Sequence, residues 1–286
     1  DRSLQGWGGS FLSIPFLFLM VQRPLRFGIH DFLNAGPLLI PLSEKGADAG
    51  LRMVIDAPPA LADRLKAGEL DLAMIPSVEY LREGDAYRLI PDVCIASRGP
   101  VGTVLLLTQK PVDKIRSVAV DIRSRTSVAL LKILFEFGPD VTIHSFLPEP
   151  TVMLAEHDAA LIIGDRALTL PTLMPDLTIY DLSEEWFRKT GKTFVHAVVA
   201  VRSGITIDRA TVKFIQEVKL EGCGRIEEIV RGHRGLEGAN PRLCEDYLKQ
   251  KIRYDLGAEE EEGLAHFRDL CYERGLIPGK TSIRFA

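Results

Sequence analysis

The chain has little cysteine and no cysteine pair. Cys94, Cys223, Cys244 and Cys271 are scattered through 286 residues without a CxxC spacing. A disulfide framework and a thiolate metal site both lack support, and reduced thiols in a cytoplasmic protein are the plain reading. The six histidines show no HExxH or related spacing, so neither a metal nor a cofactor is expected. No basic run stands out: 35 Lys and Arg stand against 39 Asp and Glu, a net charge of −4, which argues against nucleic acid as a partner. There is no repeat of fixed period and no low-complexity tract. No apolar run is long enough to span a bilayer, so no membrane partner is expected. The longest, Phe11–Met20 (FLSIPFLFLM), falls well short of a span. As a signal peptide it is poorly flanked, with only Arg2 before it and no small-x-small cleavage site after it. Residues 1–23 are therefore expected to be an extension outside the fold, disordered or non-native, with Met20 as the natural start.

What is present is a sequence long enough for one large or two medium domains. It is organised around Val118–Leu134. Val118, Val120 and Ile122 alternate as a strand should; Ser124, Arg125, Thr126 and Ser127 follow; then Val128, Leu130, Leu131 and Leu134 recur at helical spacing. A strand running into a hydroxyl-lined helix start offers free N–H groups and the positive end of a helix dipole to an anion. Plain N-capping explains the same residues.

Similar strand-to-helix turns recur. Leu25–Ile29 leads to Asn34 and Pro37, the latter suited to a first helical turn; Asn34 alone reads as a cap or turn residue. Leu51–Asp56 leads to a helix opened by Pro58 and Pro59 and stopped by Gly68, and Leu70–Ile75 leads to Ser77. This alternation predicts an α/β fold with a largely parallel sheet. Tyr87–Ala96 is extended and reaches Arg98, Gly99, Gly102 and Thr103. The glycines permit a turn or a close approach to a ligand, and Arg98 is a carboxylate partner or a solvated loop residue. A second strand–helix series begins at Ile115, passes through Gly164 and Asp165 after Ala159–Ile163, and ends in the apolar strand Phe194–Val201. One lobe left, a second built and a return by a long strand suit two lobes around a cleft. The helical remainder from Asp208 reads as structural packing, and the run Glu259–Glu262 as a solvated helix start.

Four segments in order resemble the chorismate dehydratases of the futalosine route to menaquinone. Phe32-Leu33-Asn34-x-x-Pro37-Leu38 resembles that family's YLNxxPL; Asp121-x-x-Ser124-Arg125-Thr126-Ser127-Val128 its DxSSRTSV; Ile163-Gly164-Asp165-x-Ala167-Leu168 its IGDxAL; and Asp181-Leu182, Trp186, Thr190-Gly191 and Phe194-Val195 its DLxxxWxxxTGLPFVFA. The departures are Phe32 for tyrosine, Arg123 for a small serine, Lys192-Thr193 for Leu-Pro, and His196 for phenylalanine, the last read as a core histidine. The resemblance implies a two-lobed fold like that of type II periplasmic binding proteins, with residues 24–108 and 198–286 in lobe 1 and 109–197 in lobe 2.

The implied activity is a carbon–oxygen lyase that removes water from chorismate to give 3-[(1-carboxyvinyl)oxy]benzoate. Asn34 is then the expected catalytic group, orienting the leaving hydroxyl or a carboxylate. Ser77, Arg98, Gly102, Thr103, Ser124, Arg125, Thr126, Ser127, Gly164 and Asp165 are the expected substrate-binding residues. No His–Asp or paired-carboxylate arrangement marks a base, which leaves a substrate carboxylate or water. Two rival readings remain. One is a 1,4-dihydroxy-6-naphthoate synthase-like enzyme of the same pathway, whose SPCPNDT-like opening this chain lacks. The other is a solute-binding protein for a small carboxylate that catalyses nothing.

Overall fold

The computed structural model describes residues 23–135, 137, 140–233 and 240–286. The expected extension lies outside these residues except for Arg23. Among the described residues eleven strands form two sheets: β1 Leu25–Ile29, β2 Leu51–Ile55, β3 Leu72–Pro76, β4 Tyr87–Ser97, β5 Val104–Thr108, β6 Ser117–Asp121, β7 Thr142–Phe146, β8 Ala159–Ile163, β9 Thr178–Asp181, β10 Phe194–Arg202 and β11 Ile252–Arg253. The first sheet has the order β11-β4-β10-β3-β1-β2 and the second β7-β6-β8-β5-β9. Each carries helices and forms one lobe of a two-lobed α/β fold of the type II periplasmic-binding-protein kind.

The sheets are mixed rather than largely parallel. β1 pairs with β2 and β3, and β6 with β7 and β8, in parallel; β10 pairs antiparallel with β3 and β4, and β5 with β8 and β9. The strand–helix alternation specifies the parallel units. It carries no information about a long strand that returns from the other lobe.

β5, expected to close the first lobe, belongs to the second sheet. Its composition explains this. Leu106 faces the main core, while Leu105 and Leu107 face a second cluster with Met153, Ala160 and Ile162, so the strand is covered on both faces and reads as a continuous apolar run. The chain therefore crosses between lobes at residues 98–103, and it returns just before β10.

Local sequence sets the elements that carry the site. Pro37 and Pro58–Pro59 start the helices Gly36–Lys45 and Pro58–Lys66. Asp181 accepts from the N–H groups of Ser183 and Glu184 and caps the helix Leu182–Thr190. Gly191 ends that helix at φ +69°. Asp71, fully buried, receives Arg23, Arg26 and the Arg26 backbone N–H at 2.9–3.1 Å. Burial opposes its ionisation, but these bonds outweigh it and hold the carboxyl well below the usual range. They lock the start of β3 to β1. One expectation fails at the last helix, Ala258–Glu273. Glu260 is not solvated but buried, and it accepts from the Gly257 N–H at 3.2 Å.

Candidate functional site

A cleft with a cavity volume of about 80 Å³ opens between the sheets. His30, Phe32 and Asn34 follow β1, Pro76 ends β3, and His196 lies on β10. Across the cleft stand Thr103 before β5, residues 123–127 after β6, and Gly164 after β8. The cleft thus lies beyond the carboxyl ends of parallel strands from both sheets, where open α/β folds bind ligands.

Its walls carry polar atoms that the protein leaves unpaired. Asn34 Oδ1, His30 Nδ1 and Ser124 Oγ are buried and have no hydrogen-bond partner among the described residues. His157 Nδ1, Thr193 Oγ1 and Tyr254 Oη are unmatched elsewhere as well, so it is the convergence of Asn34, His30 and Ser124 on one cleft that marks it. Thr103 Oγ1 lies 3.1 Å from the Tyr247 hydroxyl. Burial raises the Tyr247 pKa well above its ordinary value, against the opposing influence of Thr103 and Asn34. Burial also lowers both imidazoles, His30 and His196, to about 4, so each is neutral at pH 7. His196 Nε2 is tethered to Ser97 Oγ at 2.9 Å. Among the described residues no group of three or more His, Cys, Asp or Glu is arranged to hold a metal ion.

Of the expected site residues, Asn34, Thr103, Ser124, Arg125, Thr126, Ser127 and Gly164 line this cleft. Arg125 is already spent: it donates to Asp63 at 2.8 and 2.7 Å and lies 3.4 Å from Glu79, both on the first lobe. Thr126 Oγ1 accepts from the Val78 N–H and donates to the His196 carbonyl, each at 3.3 Å. These two residues hold the lobes together rather than facing a ligand freely.

Ser77, Arg98, Gly102 and Asp165 are placed elsewhere. The Ser77 hydroxyl donates to the Val195 carbonyl at 2.7 Å. Arg98 is half exposed, over the Phe187 ring and 3.5 Å from Glu259. Gly102, at φ +80°, gives its N–H to Asp181 at 2.6 Å, beside Val101 at 2.8 Å. Asp165 borders an adjacent outer cavity. There it accepts the Leu33 N–H at 3.0 Å and meets His233 Nε2 at 3.0 Å, another link between lobes. Tyr247, against Thr103, and His233, against Asp165, bring the C-terminal helical region, which reads from sequence as packing alone, into contact with these residues.

The sequence profile of a menaquinone-biosynthesis family matches residues 25–273. The chain belongs to this family. It is 30% identical over 263 residues to the chorismate dehydratase of Thermus thermophilus, covering 87% of this chain and 95% of that protein. Among solved structures, a protein of Archaeoglobus fulgidus superposes with a TM-score of 0.74 at 16% identity, over 90% of this chain and all of that one. The alkanesulfonate-binding protein SsuA of Xanthomonas axonopodis, bound to MOPS, gives 0.65 at 17% identity, over 91% of this chain and 96% of that one. These similarities show the fold.

In this member of the menaquinone-biosynthesis family the cleft also contains groups that sequence reasoning passed over. His196 sits in an apolar strand and reads as core, yet it lines the cleft. His30 had no motif to mark it; its only signal is its place directly after β1. Arg123 is visible in sequence as a departure from small serine, but its direction is not.

Proposed function

We propose that the chain is a chorismate dehydratase, a hydro-lyase of menaquinone biosynthesis that converts chorismate to 3-[(1-carboxyvinyl)oxy]benzoate. The observation that carries this reading is the convergence of unpaired buried polar atoms, Asn34 and His30 on one lobe and Ser124 on the other, on the cleft between the lobes. The similarity to the Thermus thermophilus enzyme points the same way. Chorismate is a dicarboxylate whose ring C–H at the ether carbon is vinylogously activated by the ring carboxylate. Loss of that proton sends charge into the carboxylate, and expulsion of the adjacent hydroxyl makes the ring aromatic. Driven by aromatisation, the reaction asks the protein to hold the carboxylates, stabilise the developing charge and exclude water.

Asn34 orients the leaving hydroxyl or the ring carboxylate, and Ser124, Ser127 and Thr103 supply neutral donors. The carboxylates near the cleft are engaged, Asp121 by Arg123 and Asp165 by Leu33 and His233. The proton therefore leaves to a substrate carboxylate or to water. The test is to incubate the purified protein with chorismate and follow product by mass. Loss of one water with new aromatic absorbance is the expected result. Tight binding without turnover would replace the enzyme reading with a solute-binding one.

A further inference from the structure

Among the described residues lining the cleft, the full cations are Arg123 and Arg125. Arg125 has both terminal nitrogens on first-lobe carboxylates. Arg123 is differently placed. Its Nε and Nη2 donate to Asp121 at 3.0 and 2.7 Å, its backbone N–H donates to Asp121 Oδ1 at 3.0 Å, and Nη1 has no hydrogen-bond partner among the described residues. The guanidinium also lies 5.1 Å from the centroid of the Phe32 ring, which belongs to the opposite lobe. Fully buried Asp121 and the ring fix its plane. Among the described residues, Arg123 and Phe32 are those that border both the inner cleft and the outer cavity, so the Arg123 side chain stands between the two. Asp31 and Asp165 also face it and favour its charged form.

We propose that Arg123, and not Arg125, receives one carboxylate of the substrate through Nη1 and makes this cleft selective for dicarboxylates over monocarboxylates. The proposal rests on the chorismate reading. Asp121 and Phe32 are positioning residues: they hold the fork so that little side-chain freedom is lost on binding. The second carboxylate falls to the neutral donors around Asn34, Ser124 and Thr103. Where related chains carry a small serine at this position, the same anion meets no such cation, so this residue sets affinity in this chain in particular.

The test compares the unaltered chain with Arg123→Gln, Arg123→Lys, and the double variant Asp121→Asn with Arg123→Gln. The double variant avoids stranding the buried Asp121 charge and so separates folding from binding. The reaction is read as KM and kcat for chorismate at two ionic strengths, alongside thermal unfolding. The expected result is a KM raised roughly ten- to a hundredfold in Arg123→Gln and in the folded double variant, with a smaller fall in kcat, partial recovery in Arg123→Lys, and a weaker salt dependence of KM. An unchanged KM in the folded double variant overturns the proposal. If the unaltered chain binds chorismate without turnover, the dehydratase reading fails, and the same ratios read as dissociation constants decide the Arg123 proposal. If it neither binds nor converts chorismate, both fall.

Discussion

Asn34 owes its place to neighbours on both sides. Pro37 opens the helix Gly36–Lys45, which leaves Leu33–Ala35 as a short 3-10 turn, and Asp165 from the other lobe pins that turn through the Leu33 N–H. The side chain is thereby held with Oδ1 buried and unpaired. Asn34→Ala should lower chorismate turnover by roughly a hundredfold with only a small fall in melting temperature, since Oδ1 accepts no bond among the described residues and the contact with Tyr247 is the one lost. A rate equal to that of the unaltered chain would remove Asn34 from the chemistry. The imidazoles make a second prediction. Folding lowers His30 and His196 from 6.5 to about 4, so below pH 6.5 the unfolded chain binds protons that the folded chain refuses. Above that pH they cost nothing; between about 6.5 and 4 stability falls as the pH is lowered. His30 alone should account for roughly 3 kcal/mol at pH 4. His30→Gln should flatten that part of a denaturant-midpoint profile, and an unaltered slope would show that the ring is already protonated in the fold.

Which residues would face a ligand was only partly legible in the sequence. Hydroxyls and arginines at helix starts were visible as types. Whether each is free depends on partners far along the chain: Val195 for Ser77, Asp63 for Arg125, Asp181 for Gly102. Periodicity carries no trace of such pairings. The unpaired atoms of His30 and Ser124 are likewise a property of packing.

At the level of elements, most strands and helices could be read directly, because alternation, proline openings and glycine stops are local. The exceptions are contacts between elements. The helix Ala258–Glu273 passes so close to the turn before β10 that a Cβ on Gly263 would lie 2.0 Å from the Thr193 carbonyl oxygen. A side chain there cannot be accommodated without moving the helix or the turn. Gly263→Ala should cost about 1–3 kcal/mol, read as a lower melting temperature. An unchanged melting temperature would mean that the helix shifts freely. The antiparallel pairing of β10 with both β3 and β4 was hidden for a related reason: a strand records its own burial but not the direction of its neighbours.

For the whole molecule, the lobes are joined by polar links: Arg125 to Asp63 and Glu79, Asp165 to Leu33 and His233, and Thr126 to Val78 and His196. Such links are individually weak where exposed, as Asp63 is, and they suit a cleft that must open to exchange ligand. Arg125→Gln combined with Asp165→Asn should raise the radius of gyration measured by small-angle scattering while leaving the circular dichroism spectrum unchanged. An unaltered radius would mean that apolar contact alone holds the lobes closed.

The position of β10 has a consequence for biosynthesis. It lies between β3 and β4 in the first sheet, yet every strand of the second sheet precedes it in the chain. A nascent polypeptide leaving the ribosome therefore has all the strands of its second lobe in hand while its first lobe is still in two unjoined parts. The apolar edges of β3 and β4 must wait, exposed or chaperoned, until β10 arrives to bridge them. The lobe that begins first is the last to close.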